Sequence, residues 1–392
     1  MELRDQPVEY HIWGREYIDD ASVDQLESAA RLPVAVAGAL MPDAHVGYGL
    51  PIGGVLATEN AVNPYAVGVD IACRMRLSVY DVKGKLLKGQ QSRLQNALNR
   101  ETLFGAGKEW SVSERADHEV LDEDTWRESP LLRGLLDKAT RQLGTSGSGN
   151  HFVEFGLIDI ADENNPLHVP LGQYIALLSH SGSRGVGYQI ADHYSKLAME
   201  SLPDLDKSVR HLAWLSMDSQ EGQEYWQAMQ LAGRFAAANH EVIHQRIAKA
   251  IGWDILATVE NHHNFAWEEK HKGKRVIVHR KGATPAEQGM LGIIPGSMGD
   301  AGYVVQGIGN EESLKSASHG AGRVMSRSQA RKQITRNMIR AYLKERDVTL
   351  FGGDSDEAPH VYKPIDEIIA AQSDLISVVA KFTPRIVRMD GK

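Results

Sequence analysis

Gly68-Val-Asp70-Ile-Ala-Cys73 runs directly into Arg74-Met75-Arg-Leu-Ser-Val-Tyr80. The second half is apolar and partly β-branched and reads as a strand, and the first half sets a carboxylate and the only thiol three positions apart beside it. The same arrangement recurs along the chain. His151 closes Gly144-Thr-Ser-Gly-Ser-Gly-Asn150 and opens the strand-like Phe152-Val-Glu-Phe. His180 sits in Ser-His180-Ser-Gly-Ser-Arg184-Gly, His262 and His263 in Glu260-Asn-His-His-Asn264, and His319 in Ser318-His319-Gly-Ala-Gly-Arg323. Pro33-Val-Ala-Val-Ala and Arg275-Val-Ile-Val are further β-type runs. Apolar residues spaced at three and four predict a long helix over 221–251, a second helix over 365–381 and a basic one over 326–344. Strands and helices do not alternate regularly, which disfavours a doubly wound or barrel fold. The motifs span residues 41 to 327 without a linker or repeat, so the expectation is one α+β domain over residues 1–392, with mixed sheets and peripheral helices.

Composition sets the outer bounds. The 392 residues are 42% hydrophobic and 24% charged, an ordinary globular balance. MELRDQ carries both charge signs and no apolar stretch, and the longest near-apolar run, 32–41, is half a membrane span, so neither signal peptide nor membrane segment is expected. A single cysteine forms no internal disulfide and suits a reducing cytoplasm. The net charge of −8 excludes bulk attraction to nucleic acid and leaves only a local basic patch. Such a patch follows His319: Arg323, Arg327, Arg331, Lys332, Arg336, Arg340 and Lys344 precede the next acid, Glu345. The acid-rich segment 113–128 reads as a solvated excursion.

Thiolate, carboxylate and several imidazoles in one chain suit a transition-metal site, with the thiolate able to bridge two ions. Any one of these residues alone reads more readily as a small buried hydrophobe or as a core or surface histidine, and it is their number in one chain that favours the site. Gly182-Ser-Arg-Gly185 and Pro295-Gly-Ser-Met-Gly299 are candidate phosphate cradles, because turns expose backbone N–H groups. Leu103-Phe-Gly-Ala-Gly-Lys108 lacks both the glycine spacing and the hydroxyl residue of a nucleotide loop. Asp43 and His45 read either as pocket residues or as turn caps, and His279 and His271 as structural or surface residues.

Seven blocks together resemble the RtcB family of RNA ligases: Met41-Pro-Asp43-Ala-His45-Val-Gly47, Gly68-Val-Asp70-Ile-Ala-Cys73, Gly149-Asn150-His151-Phe, His180-Ser-Gly-Ser-Arg184-Gly, His262-His263-Asn264, Pro295-Gly-Ser-Met-Gly299 and Ser318-His319-Gly-Ala-Gly-Arg323-Val-Met-Ser-Arg327. The resemblance implies an α+β fold around a dinuclear Mn²⁺ pocket. It implies GTP-driven joining of RNA 2′,3′-cyclic phosphate or 3′-phosphate ends to 5′-hydroxyl ends, in RNA repair or tRNA splicing. By position, Asp70, Cys73, His151, His180 and His263 would hold metal, and His319 would be the nucleophile that takes GMP. Asn150, Glu154, Pro295, Gly296, Ser297, Met298, Gly299, Tyr362 and Lys392 would contact the nucleotide. Arg184, Arg323 and Arg327 would hold RNA phosphates. The expected protein is a cytoplasmic monomer, with RNA and an archease-type activator as partners.

Two departures from the family pattern touch base recognition. Asp390 stands where relatives carry a lysine, and Gly302 stands before Tyr303 where they carry serine. Weakened guanine selectivity is the expectation from both. Two other readings remain open at the level of sequence: a dinuclear-metal cyclic phosphodiesterase without nucleotidyl transfer, and an RNA-binding scaffold.

Overall fold

The strand predicted after Cys73 spans Arg74–Lys83 and lies second from one end of an eight-stranded sheet. The order is Leu291–Ile294, Gly302–Gly307, Ile376–Met389, Phe152–Ile160, Gly172–Ser181, Arg74–Lys83 and Ile255–His262, with Thr349–Phe351 beside the far half of Ile376–Met389. All pairings but that last one are antiparallel. This computed structural model describes residues 2–391. The two ends of the sheet meet through Asn261, whose side chain accepts from the Ile293 amide at 2.9 Å, so the sheet is nearly closed and barrel-like. The regular helix–strand alternation of an α/β barrel is absent, as the sequence indicated, yet the sheet itself curls almost shut.

Both faces of this sheet are buried. Met75, Leu77, Ala176, Leu178 and Phe382 fill its inside. Phe155, Ile175, Leu177 and Ile386 face outward onto Leu94, Leu98, Ile243 and Ile247 of the helices Leu87–Glu101 and Gln220–Ile251. The second helix matches the predicted 221–251. Ser219 caps its start by accepting from the Gly222 amide, and Gly252 ends it at φ 61°, a left-handed turn that glycine adopts without strain. A second sheet orders Tyr10–Ile12, Ala35–His45, Ile52–Thr58, Lys274–Lys281 and Asn264–His271. The architecture is α+β, and no helix among the described residues is long and apolar enough to cross a membrane.

Three expectations need correction. Residues 365–381 do not form one helix: Ile365–Ala370 is helical, and Ile376–Met389 is a strand hydrogen-bonded on both sides. The basic segment 326–344 is two helices, Arg327–Gln333 and Arg336–Glu345, because Thr335 leaves helical geometry and caps the second by accepting from the Met338 amide. Within 113–128 the acids are largely solvated, but Trp126 and Val120 are buried, and Glu123 pairs with Arg234 at 2.6 Å.

Candidate active site

In antiparallel neighbours the start of one strand lies beside the end of the next, so four chemistry-bearing ends fall at one rim of the sheet. Cys73 precedes Arg74–Lys83 and His151 precedes Phe152–Ile160, while His180 lies near the end of Gly172–Ser181 and His263 follows Ile255–His262. Register completes the match, with His180 opposite both Met75 and Phe152 and Arg74 opposite both Ser181 and His262. Backbone bonds hold the loops: the His263 amide donates to the Cys73 carbonyl at 3.0 Å and the Ala72 amide to the Asn264 carbonyl at 2.7 Å.

Cys73, His151 and His180 are buried together, their ligand atoms mutually within 4.8 Å, and can hold a metal ion. Cys73 Sγ lies 3.3 Å from His151 Nε2 and 3.1 Å from His180 Nε2. His180 Nε2 is also 3.3 Å from His263 Nε2, and Asp70 Oδ2 is 3.1 Å from His151 Nε2. His180 Nδ1 donates to the Asn150 carbonyl at 3.2 Å, which fixes the tautomer whose bare Nε2 points into the cluster. Burial, with neighbouring cationic groups, holds His151, His180 and His263 below the ordinary histidine range, so they are neutral donors. Burial would raise the Asp70 carboxyl, but His151 and Arg184 outweigh it and keep Asp70 ionised. Burial and Asp70 push the Cys73 thiol well up. Three neutral imidazoles, a thiol and a carboxylate crowded at such distances suit a divalent cation, which would draw the proton from the thiol.

His319 stands beside this cluster, its ring 4.8 Å from that of His263. Its Nδ1 donates to Asp43 Oδ2 at 2.7 Å, and the amides of His319 and Gly320 donate to the same oxygen at 3.1 and 3.2 Å. Asp43 is fully buried; burial would raise its carboxyl, and His319, Lys363 and His45 bring it below the ordinary value instead. Asp43 is therefore not merely a turn cap: it holds the cavity-lining His319 from behind. Lys363, which sequence reasoning missed, donates from Nζ to the carbonyls of Pro42 and Ala44 at 3.0 and 2.7 Å and steadies this segment.

A cavity of about 870 Å³ collects Asp70, Cys73, Asn150, His151, His180, His263, Pro295, Gly296, Ser297, Met298, His319, Arg323, Arg327 and Tyr362. Asp70, Asn150, His151 and Arg327 also line an adjoining cleft of about 370 Å³, where Arg184 lies and donates to His151 Nδ1 at 3.1 Å. Two predicted residues fall elsewhere. Gly299 packs on Tyr342 and Leu343. Glu154 is buried one step deeper than the lining Phe152 on the same strand face, and burial pushes its carboxyl well up. Lys392 lies outside the described residues. His262 packs on Phe265 and Trp267, with Nδ1 accepting from Arg74, and His279 accepts from the Asn63 amide in the core. Arg323 pairs with the buried carboxylate Glu357, Arg331 with the buried Asp356 and Arg327 with both, partners that no spacing rule assigns to them.

A family model described as tRNA-splicing ligase RtcB matches residues 25–390. The chain belongs to the RtcB family. It is 34% identical to the RNA-splicing ligase RtcB of Escherichia coli K12, over 91% of this chain and 90% of that one. The Mycobacterium tuberculosis RNA-splicing ligase RtcB is 33% identical, covering 92% and 98%, and the Archaeoglobus fulgidus tRNA-splicing ligase RtcB 30%, covering 94% and 91%. By RtcB membership the protein is an enzyme of the RNA ligase class.

Proposed function

We propose that this protein uses GTP and two Mn²⁺ ions to join RNA 2′,3′-cyclic phosphate or 3′-phosphate ends to 5′-hydroxyl ends through a guanylylated His319, residues 1–392 acting as one catalytic domain. The observation that carries the reading is the clamp on His319. With Nδ1–H held by Asp43, the lone pair is on Nε2, the atom free to attack the α-phosphate of GTP. The new bond is Nε2–P, the bond broken is P–O to the β-phosphate, and pyrophosphate leaves. Asp43 stabilises the cationic imidazole that forms. The RNA 3′-phosphate then takes GMP from His319, and the 5′-hydroxyl attacks that activated phosphate and expels GMP. Asp70, Cys73, His151, His180 and His263 would hold the metal, which when bound screens phosphate charge and orients in-line attack.

Arg184 and Arg327, facing the adjoining cleft, supply charge for RNA phosphates there, and Arg323 supplies it in the main cavity. Asn150, Tyr362 and the loop 295–298 line the cavity and are assigned to the nucleotide. Glu154 and Gly299, further back, and Lys392 complete that set. The proposed setting is the cytoplasm, as a monomer, in tRNA splicing or RNA repair with an archease-type activator. The test is ligation of a 3′-phosphate RNA to a 5′-hydroxyl RNA by purified protein, with and without GTP. Joined product that needs GTP and His319 supports the reading. Cyclic phosphates opened without joining would assign the protein to the phosphodiesterases.

A further inference from the structure

The basic segment after His319 divides into two unlike halves. Arg323, Arg327 and Arg331 are each tied to Asp356 or Glu357. Arg336, Arg340 and Lys344, on the helix Arg336–Glu345, are exposed and have no acidic partner among the described residues. They recur every fourth residue, about 6 Å apart along the axis, and so stand on one side of the helix. In a chain of net charge −8 such a row left uncompensated is unusual.

All three cations border a cleft of about 600 Å³, separate from the cavities described above. Its floor is apolar: Ile339, Leu343 and Val348 are buried, and Leu350 and Phe351 are half-buried. Asp347 stands among its lining residues. A cationic rim over an apolar, partly aromatic floor is the surface that a nucleic-acid strand fits, with phosphates against the rim and bases against the floor. Arg327 and Gln329 line the main cavity, and the seven-residue helix Arg327–Gln333, about 10 Å long, leads from there to Arg336. Ile339, Leu343 and Ala330 share one core cluster with Met298 of the nucleotide loop, and Tyr342 bonds Asp300 beside it at 2.5 Å. The cleft is thus fixed relative to the cavity.

We propose that this cleft is an RNA-docking track outside the reaction centre, where Arg336, Arg340 and Lys344 bind the phosphodiester backbone of RNA flanking the break. The proposal rests on the RNA ligase reading. The track adds affinity for long RNA and nothing to nucleotidyl transfer. It is sequence-independent, because backbone contacts carry no base information.

The test compares wild type with the triple variant Arg336→Gln/Arg340→Gln/Lys344→Gln, and with Lys85→Gln/Lys88→Gln as a control for loss of surface charge. Binding of a long 3′-phosphate RNA and of an oligonucleotide of a few residues is measured across a salt series, with His319 labelling by GTP read in parallel. Expected is a loss of affinity for the long RNA on the order of tenfold or more, with the slope of log K against log salt flatter by about 2. Short-oligonucleotide binding and His319 labelling stay at wild-type levels, and the control variant keeps its affinity. Equal affinity and equal slope in wild type and triple variant would overturn the track, as would a loss equally large for the short oligonucleotide. Absence of RNA binding and of labelling in the wild type would overturn the ligase reading instead.

Discussion

Asp43 Oδ2 lies 2.7 Å from His319 Nδ1, across 276 residues of sequence, and two backbone amides point at the same oxygen. A buried carboxylate with three N–H donors stays ionised and holds the imidazole in one tautomer. Asp43→Asn keeps the size but not the charge, and its amide nitrogen can face Nδ1 as a donor. The rate of His319 guanylylation is then expected to fall about 10²–10⁴-fold while metal affinity is retained, measured by label incorporation and metal titration.

Gly322 guards the same contact. It sits at φ 78°, and a Cβ there would meet the Asp43 carbonyl oxygen at 2.0 Å. Gly322→Ala should therefore cost about 1–3 kcal/mol of stability and displace Asp43. Thermal unfolding and labelling together check it, and an unchanged labelling rate would argue that the clamp is dispensable.

The metal cluster makes a spectroscopic prediction. The protein titrated with Co²⁺ should develop a thiolate-to-metal charge-transfer band and release protons as the raised Cys73 thiol ionises. Cys73→Ser should abolish the band, and His180→Ala should weaken binding by removing the nitrogen nearest the sulfur. A band that survives Cys73→Ser would place the metal elsewhere.

Buried histidines make the fold acid-sensitive. Burial lowers His279 to about 4, and holds His240 and His244 well below their ordinary range. Such groups are neutral when folded and take up protons when unfolded, so stability is complete above pH 6.5 and falls as pH drops towards 4. His279 alone accounts for about 3 kcal/mol at most. Urea unfolding of chelator-treated protein at several pH values should show a midpoint that decreases with acid, and a flat profile would contradict it.

Guanine selectivity is the remaining specific point. Asp390 accepts from the Gly391 amide at 2.8 Å and offers a base no donor, and Gly302 adds no side chain beside Pro295. ATP should compete with GTP for His319 labelling, and strict GTP dependence would remove this expectation.

Much of this site was legible because local sequence carried it. His151, His180 and His319 each sit close to glycines at a strand end, Asp70 and Cys73 share one short motif before a strand, and the 220–251 helix has an apolar face along its length. What escaped was set by distant partners. Asp43 takes its role from His319, and Arg323 meets Glu357 only through folding. Ile376–Met389 buries Ala380, Phe382, Pro384 and Ile386 in alternation with the less buried Lys381, Thr383 and Arg385, a period-two pattern that starts only where the predicted helix ends, and Pro384 sits at its register shift. The break at Thr335 was hidden because its capping role shows only when its hydroxyl meets the Met338 amide.

The most direct test of the central claim is incubation of the purified protein with α-radiolabelled GTP and Mn²⁺, followed by a denaturing gel, with His319→Ala alongside. The account predicts an acid-labile label on the wild-type chain and none on the variant. A wild-type chain that stays unlabelled with GTP and with ATP, or a variant labelled equally well, would contradict it.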